Sequence, residues 1–403
     1  MKIIPKEVEP PSQRMFVFLA LTMLASYLSF QGWQMLITNF AVEDVHFNGL
    51  QMGITQSVRE IPGLLCFFAV IMLAFVREYR LANIFIFCLG IGVFFTGFFP
   101  YFHGILITAF IMSCGFHFYD TLSQSMVLQY FGQKSAPLVL GSLRGLAATS
   151  SISVAVLVLI LLTIFPEYMN YKRLLMIIGS GTIIIGLVCL FLRPARTDLP
   201  IQTRKIRFKR EYWLYYLLTG LAGGRRQIYF SFATYLLVSR FHFSAVQIVA
   251  LFLLNNIINF VMNPLIGRLV GMFGERKIMT FEYSSAIIIF SLYAFNTIPA
   301  VAAAAYVLDQ FCMNMQIAER TFFQKIAYPE DIATGTAMGF GIMHIAAVSI
   351  PIIGGMLWLV NYKIAFFAGL AIAATNLTFA QLIDREKAKA QVRLAARQEV
   401  AVA

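Results

Sequence analysis

The chain has 403 residues, of which 59% are hydrophobic and only 12% are charged, and its mean hydropathy is +0.76. A soluble globular protein carries about 25% charged residues, so this composition excludes that class and predicts a protein embedded in lipid. The formal net charge of +12 raises the question of nucleic-acid binding, but the basic residues lie mainly in alternate loops between apolar segments. That distribution is typical of a membrane protein, and we expect the lipid bilayer as its partner and no nucleic acid.

Twelve apolar stretches follow one another along the chain, each about as long as the roughly 20 residues that span a bilayer core. Because backbone polar groups in hydrocarbon must be satisfied within their own segment, each stretch is predicted to be a helix. The first has no small-residue cleavage site, so it is predicted to be a retained span. The predicted spans are residues 14–39, 48–76, 81–99, 103–130, 136–164, 173–192, 211–239, 244–270, 277–297, 299–326, 332–360 and 362–383.

One tract of the first half returns in the second half. VHFNGLQMG at residues 45–53 matches FHFSAVQIV at residues 241–249, a shift of 196 positions that aligns His46 with His242. Each copy lies between two long apolar stretches. Parallel repeats of this size are typical of secondary transporters, whose halves rock around a site near the bilayer midplane.

The segment RPARTDLPIQTRKIRFKR, residues 193–210, separates the sixth predicted span from the seventh. By the positive-inside rule, its basic residues predict a cytoplasmic linker and place both termini in the cytoplasm. Contact with anionic lipid is an alternative role for this linker. The predicted domains are a six-helix bundle (1–192), the linker, a second six-helix bundle (211–384) and a cytoplasmic tail (385–403) in a multi-pass protein of the cell (inner or plasma) membrane.

The loop after the eighth span reads Gly267-Arg268-Leu269-Val270-Gly271-Met272-Phe273-Gly274-Glu275-Arg276-Lys277. It resembles the loop signature G-x-x-x-D-R-x-G-x-R-K of the major facilitator superfamily, with Gly271 at the acidic position. Residues 319–355 resemble the junction between the tenth and eleventh helices of that family. The resemblance implies an all-α fold of twelve transmembrane helices in two pseudo-symmetric bundles, with helices one, four, seven and ten lining a central cavity.

Arg225 and Arg226 lie about 20 Å along the seventh predicted helix, near mid-membrane. A charge there costs at least about 2.5 kcal/mol, so it is expected to be functional or paired. Two adjacent guanidiniums point about 100° apart, so at most one is expected to face the cavity while the other pairs with an acid or a carbonyl. Alternatively, both arginines are held in interhelical ion pairs. The candidate substrate-binding residues are Arg225, Arg226, Gln227, Tyr229, Gln31, Gln34, Tyr119 and Asn256.

Carboxylates within the spans are candidates for proton coupling, because burial favours their protonated form and a nearby arginine favours their ionised form. The resemblance places Asp309 and Asp120 on cavity-lining helices; the alternative makes them permanent partners of arginines. His344 is a further titratable candidate, or a neutral histidine bonded to a neighbour. The candidate proton-coupling residues are Asp309, Asp120, Glu60 and His344.

Other charged residues lie near the expected cytoplasmic ends of the helices. Asp120 and Arg144 are expected at similar depth, where an ion pair between them would close an inner gate. Glycines of the loop signature allow the tight turn that returns the chain. The candidate gating residues are Arg144, Arg268, Glu319, Arg320, Gly267 and Gly274.

The sequence has no phosphate-binding glycine loop and no pair of histidines at metal-ligand spacing. We therefore expect neither an enzyme nor a cofactor or metal site. The function hypothesis is a secondary active transporter, monomeric and proton-coupled, that moves a small anionic or polar metabolite by alternating access. The alternatives are a drug or metabolite efflux antiporter, and a receptor or scaffold on the same fold that does not transport.

Overall fold

The computed structural model describes residues 10–402, except residues 67, 69–71, 74, 132–134, 193, 195–208, 329 and 330. All regular secondary structure in these ranges is helical, as the composition predicts. The predicted linker, residues 193–210, lies almost entirely outside the described residues.

The helices follow the order of the predicted spans. In the first half they are α1 (Pro10–Asn39), α2 (Gly49–Leu64), α3 (Glu78–Thr96), α4 (Phe102–Tyr130), α5 (Ala136–Ile164) and α6 (Tyr171–Cys189). In the second half they are α7 (Trp213–Ile228), α8 (Thr234–Ser239), α9 (Ala245–Phe273), α10 (Glu275–Phe295), α11 (Pro299–Met313), α12 (Ile317–Ile326), α13 (Ile332–Val360) and α14 (Tyr362–Ala380). A last helix, α15 (Ile383–Val402), follows the final span.

Within the described residues, nine helices are long and apolar enough to cross a membrane, and each coincides with a predicted span. In the described parts of the other three predicted spans, the helices are shorter or interrupted. Helix α2 has 16 residues and contains Pro62, which has no N–H to donate to the helix. A π segment, Tyr229–Ala233, separates α7 from α8, and a 3-10 turn, Asn314–Gln316, separates α11 from α12.

The sequence repeat is also a repeat of backbone conformation. Among the described residues, His46 (φ 57°) and His242 (φ 55°) are the two non-glycine residues with positive φ. Left-handed conformations are uncommon outside glycine, so their occurrence at equivalent positions is specific evidence for two related units.

The helix that follows each histidine begins with the same pair of hydrogen bonds. The Asn48 N–H donates to Gln51 Oε1 (3.0 Å), and the Gln51 N–H donates to Asn48 Oδ1 (2.9 Å). Ser244 and Gln247 make the equivalent bonds at 2.9 and 3.4 Å. These are reciprocal capping boxes, which satisfy N–H groups that a helix start leaves open.

The helices pack into two compact units. Unit 1 consists of residues 1–47, 58–201 and 243–256, and unit 2 consists of residues 48–57, 202–242 and 257–403. The start of α2 therefore packs with the second-half helices, and the start of α9 packs with the first-half helices.

Close approach of α3 and α4 in unit 1 depends on glycine. A Cβ added at Gly92 would lie 2.5 Å from the backbone N of Met112, and one at Gly115 would meet the backbone of Leu89. Small residues that let backbones meet are a common basis of helix packing in membranes.

The buried core of unit 2 contains more tyrosine residues than the buried core of unit 1. Tyr215 stacks on Phe323 with ring centroids 4.1 Å apart, and Tyr212 meets the same ring edge-on at 5.3 Å. These contacts join the beginning of α7 to α12, and so align α7 for the ionic cluster that lies further along it.

Candidate functional site

A buried ion triad lies in unit 2. Arg225 Nη2 is 2.6 Å from Glu282 Oε1, and Arg225 Nη1 is 3.2 Å from Asp309 Oδ1. The side chains of all three residues are 0% exposed. The triad therefore joins α7, α10 and α11 through charges that have no contact with solvent.

The local structure of α7 explains how a guanidinium reaches this position. Gly223 lets α13 approach, since an added Cβ would lie 2.7 Å from Met343 Cγ. The helix changes to π geometry at Tyr229, four residues after Arg225, and π segments inside α-helices are frequent at functional sites. Tyr229 is 1% exposed and stacks on Tyr306 of α11 with ring centroids 5.0 Å apart. This stack fixes α7 against the helix that carries Asp309.

The triad is unbalanced in charge and in hydrogen bonding. It contains one cation and two carboxyl groups, so it carries one negative charge when both carboxyls are ionised. Among the described residues, Glu282 Oε2 is buried with no hydrogen-bond partner, whereas the other acid, Asp309, also interacts with the Tyr293 hydroxyl. A buried carboxylate oxygen without a donor is costly, and one proton on the cluster would remove the excess charge.

Arg226 has a different environment from its neighbour. Its side chain is half-buried, its Nη1 is 3.9 Å from Met343 Sδ, and its guanidinium lies 5.1 Å from the centroid of Phe230. The next residue, Gln227, is buried. One of the two adjacent arginines is thus held by acids, which is the arrangement that their 100° separation favours.

A second ionic cluster lies in unit 1, on α2. Arg59 Nη2 is 2.5 Å from Glu60 Oε1, and Arg59 Nη1 donates to Gln34 Oε1 of α1. The Ser113 hydroxyl of α4 donates to the Arg59 carbonyl, so the cluster ties three helices together. The Arg59 guanidinium also lies 6.0 Å from the centroid of Phe30, within range of a cation–π contact.

Comparison at the repeat shift shows that the two clusters are not equivalent. Arg225 and Asp309 correspond to Ser29 and Ser113 of the first half. Ser29 shares a hydrogen bond of 2.7 Å with Thr182. Neutral hydroxyls therefore occupy the positions that hold a buried ion pair in the second half.

The remaining candidate substrate-binding residues lie in unit 1, and their individual contacts are modest. Gln31 is half-buried, and the buried Tyr119 donates its hydroxyl proton to Thr22 Oγ1 at 2.9 Å. Asn256 donates to the Phe252 carbonyl of its own helix at 3.0 Å. The structure brings Gln34 and Glu60 together through Arg59, but it does not join these other residues to that cluster.

The remaining proton-coupling and gating candidates lie on several elements, and Asp120 of α4 interacts with Arg144 of α5. Asp120 accepts a hydrogen bond from Gln124 at 2.9 Å, and Glu319 accepts one from the Tyr283 hydroxyl at 3.0 Å. His344 is half-buried on α13, and Gly274 has a φ of +80°, which glycine adopts readily. Four gating candidates are exposed: Arg144, Arg268, Arg320 and Gly267.

Glu282 is the one member of the triad that the sequence analysis missed. It lies in the ninth predicted span, on a helix that was not expected to line the cavity. The signal was nevertheless present, because a carboxylate in a hydrophobic span needs a partner as much as an arginine does.

The sequence matches the family described as Major Facilitator Superfamily over residues 19–339, about four fifths of the chain. The chain belongs to the major facilitator superfamily. It is accordingly a multi-pass membrane transporter and not an enzyme. No curated protein sequence matches this chain.

Solved structures of superfamily transporters share its fold at low sequence identity. A mutant of the nucleoside transporter NupG matches with a TM-score of 0.75 and 13% identity, covering 92% of this chain and 99% of that one. A bacterial homologue of the human lysosomal transporter Spinster, in an inward-facing and occupied conformation, gives 0.74 and 12%, covering 95% and 98%. A bacterial homologue of the iron transporter ferroportin, in an inward-facing state, gives 0.73 and 13%, covering 92% and 98%. At these identities the likeness concerns the fold alone.

Proposed function

We propose that this transporter is a proton-coupled secondary carrier that moves a small anionic or polar metabolite by alternating access. The observation that carries the proposal is the triad of Arg225, Glu282 and Asp309, in which one buried arginine serves two buried carboxyl groups. A permanent structural ion pair needs only one acid for each base. The second acid provides a place for an exchangeable proton.

Charge balance supports the coupling. With both acids ionised, the cluster holds an uncompensated negative charge at a site where desolvation costs several kcal/mol per ion. Protonation of either acid makes it neutral. Release of the proton requires that water or a polar group reach the cluster, so the bound proton and the exposure of the site are linked.

Arg226 supports the proposed anionic or polar substrate. Unlike Arg225, it is not sealed from solvent. A guanidinium group binds a carboxylate or a phosphate through a planar fork of N–H donors, and Arg226 directs one of its donors at Met343 Sδ. We therefore propose Arg226 as the solute contact and Arg225 as the charge that organises the coupling acids.

Reconstitution in proteoliposomes tests the proposed function. The wild-type protein is assayed for counterflow with a panel of labelled monocarboxylates, dicarboxylates, sugar phosphates, nucleosides and bulky organic cations, with pyranine inside the vesicles to report proton movement. Nucleosides are included because the fold neighbour NupG is a nucleoside transporter. We expect counterflow of an anionic or polar solute, and acidification of the lumen when that solute enters.

Replacement of Arg226 tests the solute contact. We expect Arg226→Gln to raise the KM of the solute about 10-fold to 100-fold, because a hydrogen bond to a charged group contributes about 1.5 to 3 kcal/mol. Arg240→Gln is the matched control, since Arg240 lies 4.4 Å from the ring centroid of Tyr362, outside the triad.

Four results would contradict the proposal. Unchanged KM in the Arg226 variant would remove this residue from the solute site. Solute movement without pyranine response would exclude proton coupling. Counterflow of bulky cations alone would favour the efflux antiporter, and absence of any counterflow together with a rigid complex with a soluble partner would favour the receptor or scaffold.

A further inference from the structure

A third buried carboxyl group lies close to the triad. Glu319 of α12 is 6% exposed and accepts a hydrogen bond of 3.0 Å from the hydroxyl of Tyr283, which is itself 0% exposed. Tyr283 is the residue after Glu282 on α10. Glu282 of the triad and the tyrosine that donates to Glu319 are therefore consecutive residues of α10.

The surroundings of Glu319 contain few compensating charges. From α10 it faces Glu282 and Tyr283, and from α7 it interacts with Arg225 and Tyr215. On its own helix the charged neighbour is Arg320, which is exposed.

The C-terminal helix α15 also packs on α12, but at the other end. Its Arg393 donates to the carbonyl of Ile326 at 2.6 Å, two helical turns beyond Glu319. Among the described residues, Arg225 is the buried cation that interacts with Glu319, and it already serves two other carboxyl groups.

Glu319 also occupies a distinct position along the tenth span. It lies ten residues after Asp309, about 15 Å along the chain at helical rise, and beyond the 3-10 turn Asn314–Gln316. Helix α12 ends at Ile326, next to Lys325, whose Nζ is 2.5 Å from Glu275 of the loop signature. Glu319 thus lies between the triad and the end of the span that carries basic residues, the expected cytoplasmic end.

We infer that Glu319 is the proton acceptor that follows Glu282, and that it conducts the coupling proton between the triad and the cytoplasmic end of unit 2. The inference rests on the proposed proton coupling and names its route. In the transfer, the O–H bond of the Glu282 carboxyl breaks and an O–H bond forms at Glu319. Glu282 is then ionised beside Arg225, and Glu319 is neutral. Tyr283 is a positioning residue, because its hydroxyl donates a hydrogen bond to the Glu319 carboxyl and fixes its position.

The first test detects the protons directly and needs no solute. Infrared difference spectra of the purified protein are recorded during a pH titration, and the C=O stretch of protonated carboxyl groups is followed. We expect Glu282→Gln and Glu319→Gln each to remove intensity from this band. Glu275→Gln is the control. Glu275 is a buried acid on α10, the helix of Glu282, and its ion pairs with Lys325 and Lys387 should keep it ionised. An unchanged band in the Glu319 variant would overturn the inference.

The second test measures transport in the reconstituted system with the solute that the wild-type panel identifies. For Glu319→Gln we expect solute uptake driven by a pH gradient to fall about tenfold or more, as for the loss of a proton-transfer group, with counterflow retained. Tyr283→Phe should shift the pH profile of driven uptake and leave counterflow intact. Loss of both activities together with a lowered melting temperature would indicate a structural role for Glu319 and would contradict the inference.

The outcomes separate the route from the proposed function. If the wild type couples uptake to protons and Glu282→Gln abolishes that coupling while Glu319→Gln does not, the triad couples transport but the route does not include Glu319. If the wild type moves solute without protons, the proposed proton coupling is wrong, and the route through Glu319 is wrong with it.

Discussion

Arg225 and Arg226 are adjacent in the sequence, yet they have different surroundings. Arg225 is sealed among two acids, and Arg226 is half-buried beside a thioether and a phenyl ring. The difference follows from the 100° turn between neighbouring helix positions, which directs one side chain toward α10 and α11 and the other toward α13. A single residue step on α7 therefore separates a fully buried charge from a charge that is partly exposed.

Removal of Arg225 should destabilise the protein strongly. We expect Arg225→Met to lower the free energy of unfolding by about 3 to 5 kcal/mol, because loss of one partner leaves Glu282 and Asp309 buried without a counter-charge. The measurement is denaturant unfolding of the purified protein in detergent. The double variant Arg225→Met with Glu282→Gln should recover part of the loss.

Arg226→Met is the matched control for this prediction, since it removes the same charge one position along the helix. We expect a smaller loss, because Arg226 is only half-buried. Equal losses in the two variants would contradict the assignment of Arg225 as the counter-charge of a sealed cluster.

At the scale of elements, the last helix, α15, packs against the other helices of unit 2. Its apolar side is anchored by Ile383 and Ala390, both buried. Its charged residues reach two other elements: Lys387 Nζ is 3.0 Å from Glu275 Oε2 at the start of α10, and Arg393 Nη1 is 3.1 Å from Glu211 Oε2 before α7. The tail that the sequence analysis described as a cytoplasmic extension is thus a packed helix in the structure.

The ion pairs of Lys387 predict that the stability contributed by the packing of α15 depends on pH. Burial lowers the pKa of Lys387, but its hydrogen bonds to Glu275 and Asp384 outweigh burial and raise the pKa above its usual value of 10.5. A raised pKa means that the folded state binds this proton more tightly than the unfolded state, so the stabilisation is complete below the usual pKa of 10.5 and is lost as pH rises through the folded pKa.

The prediction is checked by the melting temperature of the wild type and of Lys387→Gln between pH 7 and 11. The variant should melt lower at pH 7 to 9, by an amount that corresponds to about 1 kcal/mol, and the difference should shrink at the alkaline end. Lys389→Gln is the control, because Lys389 pairs with Glu386 of its own helix and not with α10. A difference that grows with pH would show that the sign is wrong.

At the scale of the whole molecule, the duplicated pattern is the main organising feature. The left-handed histidines and the capping boxes recur at a shift of 196 positions, but the buried ions do not. The repeat therefore conserves the way each helix begins, whereas the charged clusters differ between the halves. In the proposed mechanism, the second half holds the acids that couple transport to protons.

Topology is a separate prediction at this scale. From the distribution of Lys and Arg we expect both termini in the cytoplasm and the loop between α5 and α6 on the opposite side. A fluorescent reporter that matures only in the cytoplasm should be bright when fused after residue 403 and dark when inserted at Glu167. Fluorescence at Glu167 and none at the C-terminus would show that the orientation is the reverse of the predicted one.

The sequence alone predicted the helical class, the spans and the family resemblance, because each depends on local properties: apolar length, basic loops and short motifs with a repeat. It also predicted that one of two adjacent arginines would pair with an acid or a backbone carbonyl, with ion pairs for both as the alternative. It did not identify Glu282, because the choice of partner depends on which faces of α7, α10 and α11 meet.

The tertiary structure also decided where helices break and how the tail packs. The π segment after Arg225 and the 3-10 turn before Glu319 lie inside stretches that read as continuous apolar helices. Their positions depend on contacts from other helices, such as the stack of Tyr229 on Tyr306. The length and hydrophobicity of a segment determine whether it lies in lipid, because the free energy of transfer from water depends on composition. Which charges are sealed together depends on packing between segments that are far apart in the chain.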